Sequence, residues 1–125
     1  MNHKVKKVRR NLPVIALLIA VAGFISCEKY TFTPPTVDPS ATWSFQADIQ
    51  PIFNANCITC HGGSLTLDLR EGKSYNALTK GGYVNPPAET SRLYAQLTSS
   101  SHIARSTETD RLKILYWIAQ GAKNN

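Results

Sequence analysis

The sequence predicts an all-α fold with about three helices and long connecting loops. Apolar residues recur at the spacing of a helix face in two stretches, Ile49–Phe53 and Leu112–Ala119. The alternation that is typical of a strand is found in the run 64–70, and no partner strand is evident for it. We therefore expect this run to be an extended loop and helices to form the core.

The first helix is predicted to begin at Asp48, which is a good N-cap residue. Pro51 then falls in the first turn, where its missing N–H costs little. Ile49 and Phe53 share the apolar face of this helix. We expect the helix to run directly into Cys57.

Two more helices are predicted in the second half of the chain. Residues 89–97 form a short one, after a loop over residues 72–84 that contains a short helical turn. The last helix should begin at Thr107, which forms a capping box with Asp110, and should end near Gly121.

The run Cys57-Ile58-Thr59-Cys60-His61 is the attachment sequence of a c-type haem. Two thiols three positions apart can each add to one vinyl group of the porphyrin and form two thioether bonds. The next histidine then lies under the ring, where its imidazole can ligate the iron as the proximal ligand. The sequence thus predicts one covalent haem c, bound through Cys57 and Cys60 and ligated by His61.

The beginning of the chain has the features of an export signal. Residues 1–10 carry five cations and no acid, and residues 12–25 are a mostly apolar run. This run is shorter than the ~20 residues that span a bilayer. Cys27 follows Ser26 directly, as in the lipobox of a lipoprotein signal, and we expect the Cys27 thiol to be acylated. The alternative is an ordinary cleaved signal followed by an incidental cysteine.

These features divide the chain into three parts. Residues 1–26 are predicted to be a lipoprotein signal peptide, and residues 27–42, rich in proline, threonine and serine, a flexible tether that starts at the lipidated Cys27. Residues 43–125 form the folded domain. Since acyl chains anchor a protein firmly, we expect it in the cell envelope of a diderm bacterium, either facing the periplasm or on the outer membrane.

The charge and the cysteines agree with this division. The net charge of +6 includes the five cations of the leader, so the rest of the chain is close to neutral and offers no basic surface for nucleic acid. With Cys27 acylated and Cys57 and Cys60 bonded to porphyrin, none of the three cysteines is left unpaired.

Four segments together resemble small class I-like cytochrome c domains of the planctomycete and Bacteroidetes type: 48–53, 57–62, 89–94 and 114–122. The resemblance covers residues 45–125 and implies a small cytochrome c-like fold wrapped around one haem. It also implies that the first and last helices cross behind the haem, with Phe53 meeting Tyr116 or Trp117.

One departure from that family concerns the distal iron ligand. Such domains usually place a methionine before the last helix, whereas Met1 is the only methionine of this chain. His102 lies in the corresponding loop and is our leading candidate for the distal ligand. The alternatives are a five-coordinate or water-bound iron, with His102 exposed, or a lysine, a tyrosine or an intermolecular ligand.

The resulting prediction is a membrane-anchored monohaem cytochrome that transfers single electrons and is not an enzyme. Its partner would be a redox protein or a small electron donor or acceptor. A haem-based gas sensor or a peroxidase-like enzyme with an open sixth site is the alternative. Four cations are candidates for pairing with the haem propionates: Arg70, Lys73, Arg92 and Arg105.

Two readings without haem remain open. Cys57, Cys60, His61 and His102 make a nominal zinc ligand set, although adjacent Cys60 and His61 are hard to direct at one tetrahedral ion. A thioredoxin-like use of the two cysteines is weaker, because no βαβ pattern surrounds them.

Overall fold

The computed structural model describes residues 36–125, which belong to one compact unit. Its α-helices are α1 (Gln50–Asn56), α2 (Ile58–His61), α3 (Ser74–Lys80), α4 (Arg92–Leu97) and α5 (Glu108–Ala119). A π-helical turn, Phe45–Ile49, leads into α1, and 3-10 turns occupy Ala88–Thr90 and Ile103–Arg105. No strand occurs in this part of the chain, so the all-α prediction is confirmed, although residues 36–125 form five α-helices where about three were predicted.

Several predictions concern residues outside this range. The signal peptide 1–26, the acylation of Cys27 and the first part of the tether, up to residue 35, lie outside the described residues. Among residues 36–125, no helix is long and apolar enough to cross a membrane.

The predicted N-cap at Asp48 is wrong, because the helical segment begins at Phe45 with Ser44 as its N-cap. The Ser44 hydroxyl accepts a hydrogen bond from the Ala47 N–H at 3.2 Å. The Asp48 carboxylate reaches back and accepts one from the Ser44 N–H at 2.9 Å. This pair of bonds satisfies two backbone donors at the helix start, and the additional turn buries Phe45 completely.

The Cys57–His61 motif continues the first helix with only a small break, as predicted. The Cys57 N–H donates to the Phe53 carbonyl at 2.9 Å, and the His61 N–H donates to the Cys57 carbonyl at the same distance. Gly62 ends this segment. A Cβ there would lie 2.5 Å from the Ile58 carbonyl oxygen, so the tight exit requires glycine.

A buried polar group fixes α1 to the segments that follow it. Gln50 is only 3% exposed, and its amide donates to the Leu69 carbonyl at 3.1 Å and to the Asn54 side chain at 2.9 Å. The Gln50 side-chain oxygen accepts a hydrogen bond from the buried Ser74 hydroxyl. Both the nitrogen and the oxygen of the buried Gln50 amide therefore have hydrogen-bond partners, which favours a single packing arrangement.

The run 64–70 is a loop, as predicted. It closes on the motif through the Leu69 N–H, which donates to the His61 carbonyl at 2.8 Å. In the following stretch, the short helical turn expected within residues 72–84 is the seven-residue helix α3.

The single helix predicted over residues 89–97 is wrong, because a break at Ser91 divides it. A 3-10 turn covers Ala88–Thr90, and α4 begins at Arg92. The Ser91 hydroxyl donates to the Ala88 carbonyl at 2.7 Å and accepts from the Tyr94 N–H at 3.3 Å. Ser91 is thus the N-cap of α4 in an extended conformation, which interrupts the helix.

The last helix agrees with the sequence prediction at both ends. Thr107 and Asp110 form the complete capping box, and Gly121 follows the C-cap Gln120 with φ +94. Its buried face holds Trp117, whose ring centre lies 5.2 Å from that of Phe45. Phe53 was predicted to contact the last helix. Its ring centre lies 6.3 Å from that of Phe45, within the same group of packed aromatic rings. The contact between the first helical segment and the last helix is therefore made by Phe45, which packs against Trp117.

Gln120 connects the end of α5 to the beginning of the described chain. Its side-chain oxygen accepts from the backbone N–H of Trp43 at 3.1 Å, and its amide nitrogen donates to the backbone carbonyl of Ala41 at 2.7 Å. The last residues of the predicted tether are therefore bound to the domain.

Candidate functional site

One large cavity brings together the four residues of the described chain that the sequence predicted for haem attachment and axial ligation. Its volume is about 960 Å³, near the upper end of the ~300–1,000 Å³ typical of ligand pockets. Cys57, Cys60, His61 and His102 all contribute to its lining. The motif and the loop after it form one side, and α4 and residues 101–106 contribute the other lining residues.

His61 is half-buried and is held by the loop that follows it. Its Nδ1 lies 3.0 Å from the Leu67 carbonyl oxygen. Because a carbonyl only accepts, this contact requires the proton on Nδ1 and leaves the lone pair of the neutral ring on Nε2. A backbone carbonyl on the other nitrogen is the usual outer partner of a metal-ligating histidine.

His102 enters the same cavity from the segment before α5. Its ring centre is 6.4 Å from that of His61, and the two ring planes are inclined by 39°. The His102 Nδ1 lies 2.9 Å from the Ser101 hydroxyl and 3.2 Å from the Gln96 amide nitrogen. The His61 Nδ1 donates to a carbonyl, whereas the His102 Nδ1 accepts from the Gln96 amide, and the His102 Nε2 has no hydrogen-bond partner among the described side chains.

Cys57 and Cys60 are not joined in a disulfide. Burial, together with the negative charges of Asp110 and Cys60, raises the pKa of the Cys57 thiol to about 11. The Cys57 thiol is therefore protonated at neutral pH, whereas a redox-active dithiol requires a lowered pKa. This difference argues against the thioredoxin-like alternative.

Apolar side chains cover much of the cavity wall. They come from the first helix, the loop after the motif and α4: Phe53, Leu65, Leu67, Leu69, Leu93 and Leu97. Leu65 is 50% exposed in spite of its size, which places an apolar side chain at the opening. The leucines of the 64–70 loop therefore line the cavity.

The four candidate cations separate into two pairs. Arg92 and Arg105 line the cavity, while Arg70 and Lys73 do not. Arg70 is paired with Asp68 through an N–O distance of 2.6 Å. Arg92 is held with its guanidinium 4.3 Å from the ring centre of Tyr83 and donates to the Gly81 carbonyl at 3.1 Å.

No group of three or more histidine, cysteine, aspartate or glutamate side chains within residues 36–125 is close enough to hold a metal ion. The four-ligand zinc alternative therefore receives no support from the described side chains.

Sequence reasoning missed two side chains of this site, Gln96 and Ser101. Gln96 and Ser101 are polar residues in a polar segment, so their types alone indicate exposure. Only the fold of residues 98–102 brings His102 back to α4, where Gln96 is located.

Comparison with known proteins gives limited information. No family model matches the chain, and no solved structure matches it. Among curated proteins, the chain is similar to hydrazine synthase subunit alpha of Kuenenia stuttgartiensis, with 31% identity over 130 residues. The match takes in 70% of this chain but spans only 16% of the length of that subunit.

Proposed function

We propose that this protein is a monohaem c-type cytochrome of the cell envelope that transfers single electrons. The observation that carries the proposal is the cavity on which Cys57, Cys60, His61 and His102 converge. Thiols for covalent attachment and two imidazoles for axial ligation are the donor set that a bis-histidine haem c requires.

The spacing of the two histidines supports axial ligation by both. Two imidazoles on opposite sides of one metal ion, with metal–nitrogen bonds of about 2.0 Å, have ring centres roughly 6 Å apart. The observed separation between His61 and His102 is 6.4 Å. In addition, the Leu67 carbonyl at Nδ1 leaves the His61 Nε2 lone pair for the iron. Protein groups also hold the His102 ring at Nδ1, so its Nε2 is the nitrogen that would face the iron.

The remaining cavity residues suit a porphyrin. The leucines and Phe53 provide apolar contact for its faces and exclude water, which limits the cost of changing the iron charge. Arg92 and Arg105 offer positive charge for the two propionates. When bound, the haem supplies a one-electron redox centre, and two imidazole ligands favour a lower potential than an imidazole with a methionine.

The location and partners follow from the sequence. A lipid on Cys27 would hold the domain at a membrane of the cell envelope, on a tether of up to 16 residues, 27–42. From there the haem would exchange electrons with a redox protein or a small donor or acceptor. Outside the leader, basic and acidic residues nearly balance, which gives no support for a nucleic-acid partner.

Haem attachment is tested by producing the protein in a host with c-type maturation and recording its spectrum. We expect a red protein whose pyridine haemochrome has the absorption of a haem with two thioether bonds and corresponds to one haem per chain. The variant Cys60→Ala, with one bond lost, should shift that absorption toward the spectrum of a haem with one remaining vinyl group. A colourless wild-type protein from a competent host would contradict the proposal.

A further inference from the structure

We infer that Gln96 is a positioning residue for the distal imidazole and holds the His102 ring at the orientation needed to ligate iron. The inference rests on the proposed function and specifies how the sixth ligand is held. It starts from the contact of 3.2 Å between the Gln96 amide nitrogen and the His102 Nδ1, at the wall of the cavity.

Gln96 is attached to a rigid element, while His102 is not. Helix α4 is fixed in the core by Leu93 and Leu97, which are 5% and 6% exposed. His102 lies in a segment with exposed neighbours on both sides, Ser101 and Ile103. A side-chain bond from α4 therefore restricts a ring whose own segment has little packing to restrain it.

The backbone of the same residue holds the connecting turn. The Gln96 carbonyl accepts from the Ser99 N–H at 3.1 Å and from the Ser99 hydroxyl at 2.6 Å. The Ser99 carbonyl in turn accepts from the His102 N–H at 3.1 Å. The histidine is thus bound to Gln96 by its ring directly and by its backbone through Ser99.

An amide is suited to both protonation patterns of a neutral imidazole. In the structure, the Gln96 amide nitrogen donates to Nδ1, which leaves the ring proton on Nε2. A ring that ligates through Nε2 carries its proton on Nδ1 and needs an acceptor there. Rotating the Gln96 amide by about 180° presents its oxygen to Nδ1 and provides that acceptor. Ser101, the other neighbour of Nδ1, has a hydroxyl that can also serve as donor or acceptor.

Two substitutions with opposite expected effects test this role in the haem-bearing protein. Gln96→Glu presents a carboxylate to Nδ1–H, makes the imidazole a stronger donor to iron and should shift the reduction potential to more negative values. Gln96→Leu removes the acceptor and should shift the reduction potential to more positive values, and the rate of carbon monoxide binding to the reduced protein should rise by about tenfold or more. Gln46→Leu, on the exposed surface away from the cavity, is the control and should change neither quantity.

The outcomes separate the inference from the proposed function. A wild-type protein without haem, or one whose reduced haem binds carbon monoxide as fast as a five-coordinate haem, overturns the bis-histidine proposal and this inference with it. If the wild type is six-coordinate and both Gln96 variants match it, or both shift the potential in the same direction, only the positioning role is overturned.

Discussion

The ring centres of His61 and His102 lie 6.4 Å apart, and the two residues come from separate segments that line one cavity. In each ring, the protein occupies Nδ1, with the Leu67 carbonyl on one side and Gln96 with Ser101 on the other. Two separately held imidazoles at this spacing would give an iron with both axial positions filled. Such an iron exchanges electrons without binding a substrate.

Replacing the distal histidine should therefore open the iron. We expect His102→Ala to keep its covalent haem but to become high-spin when reduced and to bind carbon monoxide rapidly, whereas the wild type binds it slowly. Flash photolysis or stopped-flow mixing measures the difference. Ser100→Ala, two residues away and outside the cavity lining, should behave as the wild type. Rapid binding by the unmodified protein would instead support the gas-sensor or peroxidase-like alternative.

The haem should also be required for folding. A domain of this size buries little apolar surface, and small folds usually depend on a staple or a cofactor. We expect Cys57→Ala combined with Cys60→Ala to give a haem-free chain that lacks a cooperative thermal transition by circular dichroism. Cys27→Ser, which removes only the proposed lipid site, should keep both the haem and the transition. A haem-free double variant that melts cooperatively would disprove the requirement.

The Asp68 carboxyl, in the loop that follows His61, should titrate at unusually low pH. Hydrogen bonds from Arg70 lower the pKa of Asp68 to about 2, below the ~3.9 of an unfolded chain. Because the pKa is lower in the folded state, this stabilisation is complete above about pH 4 and is lost as the pH falls toward 2. Carboxyl carbon NMR should show the Asp68 pKa rising toward its ordinary value in Arg70→Gln.

Lys73 provides the control for that measurement. Its charge is the smallest of the causes that lower the pKa of Asp68, so Lys73→Gln should shift the titration much less than Arg70→Gln does. Equal shifts in the two variants would show that the net charge of the loop, and not the Arg70 hydrogen bonds, holds the pKa down.

The capping box should stabilise α5 by a measurable amount. The Thr107 hydroxyl accepts from the Asp110 N–H at 3.1 Å, so Thr107→Ala leaves that donor without its partner. We expect a loss of about 1 kcal/mol in the free energy of unfolding, within the usual range of ~0.5–2 kcal/mol. Denaturant unfolding of the haem-bearing protein measures it. Thr109→Ala makes the same chemical change inside the helix, and a loss as large as that of Thr107→Ala would rule out a specific contribution from the cap.

Gln120 should stabilise the junction between α5 and the segment before the first helix. Gln120→Leu leaves the backbone N–H of Trp43 and the backbone carbonyl of Ala41 without their present partners. We expect the free energy of unfolding to fall by about 1–3 kcal/mol. Gln46→Leu removes one exposed hydrogen bond to Asn124 and should cost less than about 0.5 kcal/mol. Thermal unfolding of the two variants compares them, and similar losses would mean that the junction contributes little.

Local signals in the sequence were sufficient where the interaction itself is local. The Thr107–Asp110 capping box spans three residues and forms as predicted. The continuity of the first helix into Cys57, the loop over 64–70 and the absence of strands in residues 36–125 were also predicted correctly.

Two helix starts were misplaced because several residues nearby are good N-caps. Ser44 and Asp48 are equally suitable by type, and Ser44 becomes the cap because the earlier start packs Phe45 against Trp117 and Tyr75. The break at Ser91 has the same origin, since a serine within an apparently helical run can cap a new helix.

By itself, the sequence determined the all-α class and the last helix, and it is the basis of the proposed haem chemistry of Cys57, Cys60 and His61. These depend on neighbouring residues whose spacing is fixed by the covalent chain. Only the tertiary structure decided how close the His102 ring comes to that of His61 and which side chain contacts it. That choice depends on how α4 packs in the core and how the turn after it brings His102 back to Gln96, and contacts between distant segments leave no periodic pattern in the sequence.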